Sequence, residues 1–277
     1  METKIQIKST LGELLFEFEC EDNSIKKTVE NAILSGAKLI GVDLRNANLR
    51  NASLSGANLI GANLRNANLI NTDLNDANLS CADLRNADLK GSSLINTYLI
   101  GADLENANLR GSDLRNAYLI GADLRGANIR NANLSGVDLS NADISGADLA
   151  NSNIRDSYFI DADLSDANLR GSDLRSANLR DAYFSGAYLR NANLSGADIS
   201  GAKDKEMAHL PIYCKWSHSI IGNKIKIGCQ EKTIEKWEKF FNSDKVLSTE
   251  RNTSEFKQIQ AVFEAYKGYL NFLNKNN

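Results

Sequence analysis

The sequence predicts an all-β solenoid set between two shorter non-repeating modules. Three observations carry that prediction. A large apolar residue (Leu, Ile or Phe) stands at every fifth position from Leu34 to Ile199, 34 units without one slip of register. Two residues before each of them the side chain is small: Ala, Ser, Thr or Val. Two residues after, Gly, Asn or Asp predominates, the residue types that best tolerate positive φ and tight turns. A period of five fits neither an α-helix nor a simple strand, and it excludes a heptad coiled coil. No single unit can bury its own large side chain, so the units must stack.

Ala47-Asn48-Leu49-Arg50-Asn51 is one unit and Ala122-Asp123-Leu124-Arg125-Gly126 is another. This pattern resembles the pentapeptide-repeat family over Ala32 to Ala202, 171 of the 277 residues. The resemblance implies a right-handed quadrilateral β-helix with four pentapeptides per coil, the large and small positions both pointing inward. Packing agrees with that geometry. A narrow interior takes one Leu and one Ala per side, and the small residue prevents overpacking. The 34 units then make about 8.5 coils, a rod roughly 41 Å long at ~4.8 Å per coil. Both ends of such a rod are open strand edges that need cover.

Residues 1–31 read as the first cover. Ile5 and Ile7 alternate with polar residues, Ser9-Thr10-Leu11-Gly12 reads as a turn, and Leu14, Phe16 and Phe18 alternate on a return strand. Ser24 is placed to N-cap a short helix with Ile25, Val29 and Ile33 on one face. Residues 203–277 leave the repeat. Ser219 to Ile227 reads as a hairpin around Gly222-Asn223. Thr233 to Phe241 and Ser254 to Leu273 read as helices, the second with Phe256, Ile259, Phe263, Tyr266, Leu270 and Leu273 at helical spacing. This module is expected to be a cap, a dimerisation element or a small effector domain.

Composition narrows the function classes. At 42% hydrophobic and 24% charged, the chain is expected to fold. A net charge of −3 argues against direct nucleic-acid binding or an acidic-membrane binder. No run of 18 apolar residues is present and the N-terminus has no apolar signal core, so no membrane partner is expected and the cytoplasm is the expected location. Four scattered cysteines do not form a disulfide framework.

Catalytic chemistry has little to work with. Both histidines lie outside the repeat, and the repeat serines have no base beside them. No phosphate-binding Gly motif and no metalloprotease motif occurs. The expectation is therefore no enzyme and no cofactor. His209, Cys214, His218 and Cys229 offer the ligand types of a zinc site, but not in zinc-finger order. Two readings of this cluster stand: a metal site, or a packed hairpin with buried thiols.

Residues 20 apart stack on one side of a four-sided coil, so each side reads as a column. Ile40, Ile60, Ile100, Ile120 and Ile160 share the outward column that follows Leu39. Five of the seven Ile residues among the 34 outward positions fall there. Tyr98, Tyr118 and Tyr158 lie two positions before three of them, completing an apolar and aromatic stripe. Such stripes mark protein interfaces, although Ile and Tyr also favour exposed strand positions. The next side carries Asp43, Asp83, Asp103, Asp123, Asp143 and Asp163 beside Arg45, Arg65, Arg85 and Arg125. A charge-balanced solvated face is the expectation for it.

The best-understood members of the family protect DNA gyrase from quinolones by resembling duplex DNA. Charge speaks against that role here. Residues 32–202 hold 19 Asp and Glu against 15 Lys and Arg, whereas duplex DNA of that length carries roughly 24 negative charges. An ice-binding surface would need a Thr ladder, and only Thr72 and Thr97 occupy repeat positions. The remaining class is an interaction scaffold: a rigid rod that binds a protein partner, or a second copy of itself, through the Ile/Tyr stripe.

Overall fold

The computed structural model describes residues 2–204, 218–221, 224–227, 230–241 and 263. Strand β1 (Glu2–Lys8) pairs antiparallel with β2 (Leu14–Glu21), Ile5 opposite Phe18 and Ile7 opposite Phe16. The turn between them is held by Ser9, whose Oγ accepts from the amides of Leu11 (3.2 Å) and Glu13 (3.1 Å). Helix α1 (Ile25–Leu34) starts where Ser24 Oγ accepts from the Lys27 amide, filling one of the unpaired donors of the first turn. Thr28, Val29 and Ala32 are its buried residues.

The hairpin is tied to the first coil through the backbone. The Thr10 amide donates to the Gly41 carbonyl and the Asp43 amide to the Lys8 carbonyl, each at 2.8 Å. From α1, a Glu30 carboxylate oxygen accepts from the Ser53 amide at 2.9 Å. Edge groups that would otherwise face solvent are thereby paired.

Leu34 departs from the expected inward series. It is the last residue of α1 and is 85% exposed, whereas Ala32 is fully buried. The reason is geometric. In extended backbone, residues two apart point the same way, but in a helix they are about 200° apart. The inward series therefore begins at Leu39, which is buried.

From Asp43 onward the chain is a β-helix with four pentapeptides per coil. Parallel bridges join the residue before each large one to its counterpart 20 further on, from Asp43–Asn63 to Tyr183–Lys203. Each side repeats the same bonds. On one, the Leu84 amide donates to the Asp103 carbonyl (2.7 Å), and the Asp103 amide donates to the Ala82 carbonyl (2.9 Å). At the following corner the Ala87 amide donates to the Leu84 carbonyl (3.0 Å), closing a turn whose third residue, Asn86, has φ of 58°. Cys81 and Ser176 stand at corners where Gly, Asn or Asp is usual, and both adopt the same φ of 58°.

The interior is a stack of Leu and Ala with few polar atoms. Where the small position is Ser or Thr, the hydroxyl is satisfied at once. Thr72 Oγ1 donates to the Leu49 carbonyl (2.9 Å), Thr97 Oγ1 to Leu74 (2.8 Å), and Ser92 and Ser112 Oγ to Leu89 and Leu109 (2.6 Å each). A buried hydroxyl with a partner costs little, which is why these substitutions of Ala are tolerated.

Beyond the rod, β3 (His218–Ile221), β4 (Lys224–Ile227) and β5 (Gln230–Thr233) form an antiparallel sheet, and α2 (Ile234–Phe241) follows. Strand β5 has no counterpart in the sequence reading, because Gln-Glu-Lys-Thr shows no apolar alternation. Trp237 is fully buried, donates from Nε1 to the Ile225 carbonyl (2.8 Å), and packs against Phe240, Phe241 and Phe263. The hairpin turn at Gly222-Asn223 and the helix expected over 254–273, apart from Phe263, lie outside the described residues.

Candidate interaction faces

The four sides of the rod are its candidate sites. Each side is a ladder whose backbone groups are already paired, leaving side chains alone to meet a partner.

Side one follows Leu39 and carries the predicted stripe. Ile40, Tyr98, Ile100, Tyr118 and Tyr158 are exposed, and Ile60, Ile120 and Ile160 are half-buried. The rings of Tyr98 and Tyr118 stack in parallel, centroids 5.0 Å apart and planes within 10°. The stripe is not continuous. One coil before Tyr98 stand Asn78 and Ser80, and one coil after Tyr118 stand Asp138 and Ser140. In each, the serine Oγ donates to the neighbouring side-chain oxygen, at 2.7 Å and 2.6 Å. The apolar stripe is thus a two-coil centre, Tyr98, Ile100, Tyr118 and Ile120, bounded by two polar rungs. Ile40 and Ile60 lie beyond one rung, Tyr158 and Ile160 beyond the other.

Side two follows Leu44 and is a ladder of ion pairs. Arg85 joins Asp83 (2.6 Å) and reaches Asp103 on the next coil (3.2 Å). Arg125 joins Asp123 (2.6 Å), Asp143 (3.8 Å) and Glu105 (3.9 Å). The side-chain hydrogen bonds from arginine hold the carboxyls of Asp43, Asp83 and Asp123 below the usual carboxylate range. These pairs engage five of the six carboxylates of the acidic column, and Asp163 accepts from the Ser165 amide instead.

Side three follows Leu49 and was not singled out by the sequence reading. Six of its outward residues are basic: Arg50, Lys90, Arg110, Arg130, Arg170 and Arg190. The signal is present in the sequence only when outward positions are aligned by 20, because arginine occurs on all four sides. Tyr183 and Tyr188, near the far end of the rod on sides two and three, are further exposed aromatics outside the predicted stripe. Lys203 Nζ lies 4.2 Å from the Tyr183 ring centroid and donates to its hydroxyl at 2.7 Å.

Of the residues considered for zinc, His209, Cys214 and Cys229 lie outside the described residues, and of His218 only the backbone in β3 is described. Among the described residues, no group of three or more His, Cys, Asp or Glu could hold a metal ion. No described helix is long and apolar enough to cross a membrane.

A family model for pentapeptide repeats, in 8 copies, matches residues 32–69, 52–91, 92–131, 132–175 and 167–203. The chain belongs to the pentapeptide-repeat family. Pentapeptide-repeat proteins fold as right-handed quadrilateral β-helices and are in general structural or interaction proteins, which accounts for the four sides and the i to i+20 pairing. Among solved structures, this pentapeptide-repeat chain is similar to HetL, a pentapeptide repeat protein involved in heterocyst differentiation regulation from Nostoc sp. strain PCC 7120. The identity is 33%, over 67% of this chain and 96% of HetL, with a TM-score of 0.35. A trypsin-treated QnrB1, a plasmid-mediated fluoroquinolone resistance protein, is 22% identical over 58% of this chain and 86% of its own, with a TM-score of 0.49. A pentapeptide repeat protein of the Arabidopsis thaliana thylakoid lumen is 28% identical over 39% of this chain and 69% of its own, with a TM-score of 0.28. No curated protein matches the chain.

Proposed function

We propose that this protein is a non-enzymatic interaction scaffold that binds a protein partner, or a second copy of itself, through the centre of side one. The observation that carries the reading is the exposed, stacked Tyr98–Tyr118 pair flanked by Ile100 and Ile120. Tyrosines already ordered by stacking on a rigid ladder lose little side-chain entropy when a partner covers them. They also supply the apolar, hydrogen-bonding surface that interface centres favour. The polar rungs at Asn78/Ser80 and Asp138/Ser140 would then sit at the rim.

Replacing both Ile100 and Ile120 by lysine tests this. The double variant should keep its circular dichroism and melting behaviour, since both side chains point outward. It should also lose self-association, or capture of its partner from a lysate, by at least about tenfold. Unchanged oligomeric state together with unchanged capture would sink the reading. Gyrase supercoiling with and without a quinolone, titrated with the purified chain, is the companion assay. Inhibition or drug protection at micromolar levels or below would replace the scaffold with a gyrase regulator, against the charge count over residues 32–202.

A further inference from the structure

Side three holds a feature that neither the stripe nor the ion-pair ladder explains. Ala150 is the only alanine among the 34 outward positions, and it stands in the basic column with Arg130 one coil before it and Arg170 one coil after. Ala150 is overlaid by its neighbours and only 4% exposed, and beside it lies a hollow of about 230 Å³ lined by Arg130, Ala150, Asn151, Asn168, Arg170 and Arg190 among others. Among the described residues its lining contains three guanidinium groups and no carboxylate, and Arg190 is engaged in an interaction of its own.

Asp148, a described acid beside it, is already engaged. Asp148 accepts from Arg130 Nη1 (3.0 Å), Asn168 Nδ2 (2.9 Å) and the Ala150 amide (3.1 Å). Arg130 keeps further N–H donors after that bond, because a guanidinium has five. Arg170 is exposed, and no described carboxylate lies within ion-pair distance of it. Arg130 and Arg170 are two coils apart, about 9.6 Å at strand spacing.

We propose that this hollow is a binding site for a small phosphoryl anion of about pyrophosphate size. Planar guanidinium forks match phosphoryl oxygens in pairs, which favours this anion class over a single point charge. The separation of Arg130 and Arg170 suits a ligand with two anionic ends. The volume lies below the range of pockets for drug-sized molecules, so the ligand is small. The hollow is local to one stretch of the side, and its recognition differs from the diffuse attraction that a basic stripe offers to a polyanion.

The test is calorimetric titration of the full chain with sodium pyrophosphate at fixed ionic strength, alongside inorganic phosphate, citrate and a short DNA duplex. Saturable 1:1 binding of pyrophosphate, tighter than inorganic phosphate, is expected. Arg170→Ala should weaken it about tenfold or more, and Arg170→Lys should recover only part, since the charge returns without the fork. Ala150→Glu should abolish it by filling the hollow with a carboxylate. Arg110→Ala, in the same column but outside the hollow, should stay within about twofold of the parent. Melting curves of each variant establish that it is folded. Four results would overturn the proposal: no pyrophosphate binding, equal loss in Arg110→Ala and Arg170→Ala, citrate binding as tightly as pyrophosphate, or duplex DNA binding in place of the small anion.

Discussion

Sides one and three stand opposite each other on the same rod and are built on the same inward residues, yet they present opposite chemistry. Leu119 and Leu109 are both fully buried, each with a small side chain two residues before it. One residue further on, side one shows Ile120 and side three shows Arg110. The comparison separates two codes carried by one repeat. The inward positions and corners specify the coil and are nearly uniform, because interior width and positive φ leave few choices. The outward positions are free of that constraint, so a run of like residues in one column is information about the surface rather than the fold.

The strongest way to break this separation is to exchange an inward residue for an outward one in the same unit. Leu119→Ala should cost about 2–5 kcal/mol of stability, read as a lowered urea midpoint, because neighbouring coils cannot collapse into the space. Ile120→Ser, one residue away, should change stability by no more than about 0.5 kcal/mol. If the two substitutions cost similar amounts, the outward column contributes to the fold and its composition says little about partners.

That division also explains how much was legible in the sequence. The register of Leu and Ala and the Gly and Asn corners are repeated signals, each fixed by a local physical demand, and the stripe of side one is legible as a column of like residues 20 apart. Leu34 was misread because period alone does not reveal that a capped helix, begun at Ser24, runs on through the first apparent unit. The break-up of the stripe by Asn78/Ser80 and Asp138/Ser140 was visible in residue identity but not in consequence, since it depends on the serine hydroxyl turning to its own coil. The hollow of side three lies beside a single Ala150 between two arginines, a signal with no repetition to amplify it.

A smaller effect sharpens the account of side one. Tyr98 and Tyr118 stack across adjacent coils, so their contributions should not be independent. A cycle of Tyr98→Ala, Tyr118→Ala and the double variant should give a coupling of about 0.5–1 kcal/mol in stability. The matching cycle on Tyr118 and Tyr158, separated by the Asp138 rung, should give none. Equal coupling in both would mean that the tyrosines interact through the backbone of the rod, and the two-coil centre would lose its distinction.

The smallest effect distinguishes the arginines of side two from those of side three, and it is read through pH. Asp83 and Asp123 have carboxyls depressed below their ordinary range, first by the side-chain hydrogen bonds of Arg85 and Arg125. A carboxyl whose folded value is depressed binds fewer protons folded than unfolded. Its contribution to stability is therefore present above the unfolded value, near pH 4, and is lost as pH falls through the folded value. Arg85→Gln with Arg125→Gln should make the acid side of the stability profile shallower, with the difference from the parent vanishing at the lowest pH. Arg170→Gln on side three should leave the acid slope unchanged, since no described carboxylate lies within ion-pair distance of Arg170. The pairs are exposed to solvent and screened by salt, so the contrast should shrink as ionic strength rises. An acid slope flattened equally by Arg170→Gln would show that side three shares the internal pairing of side two, leaving its arginines no charge to offer a ligand.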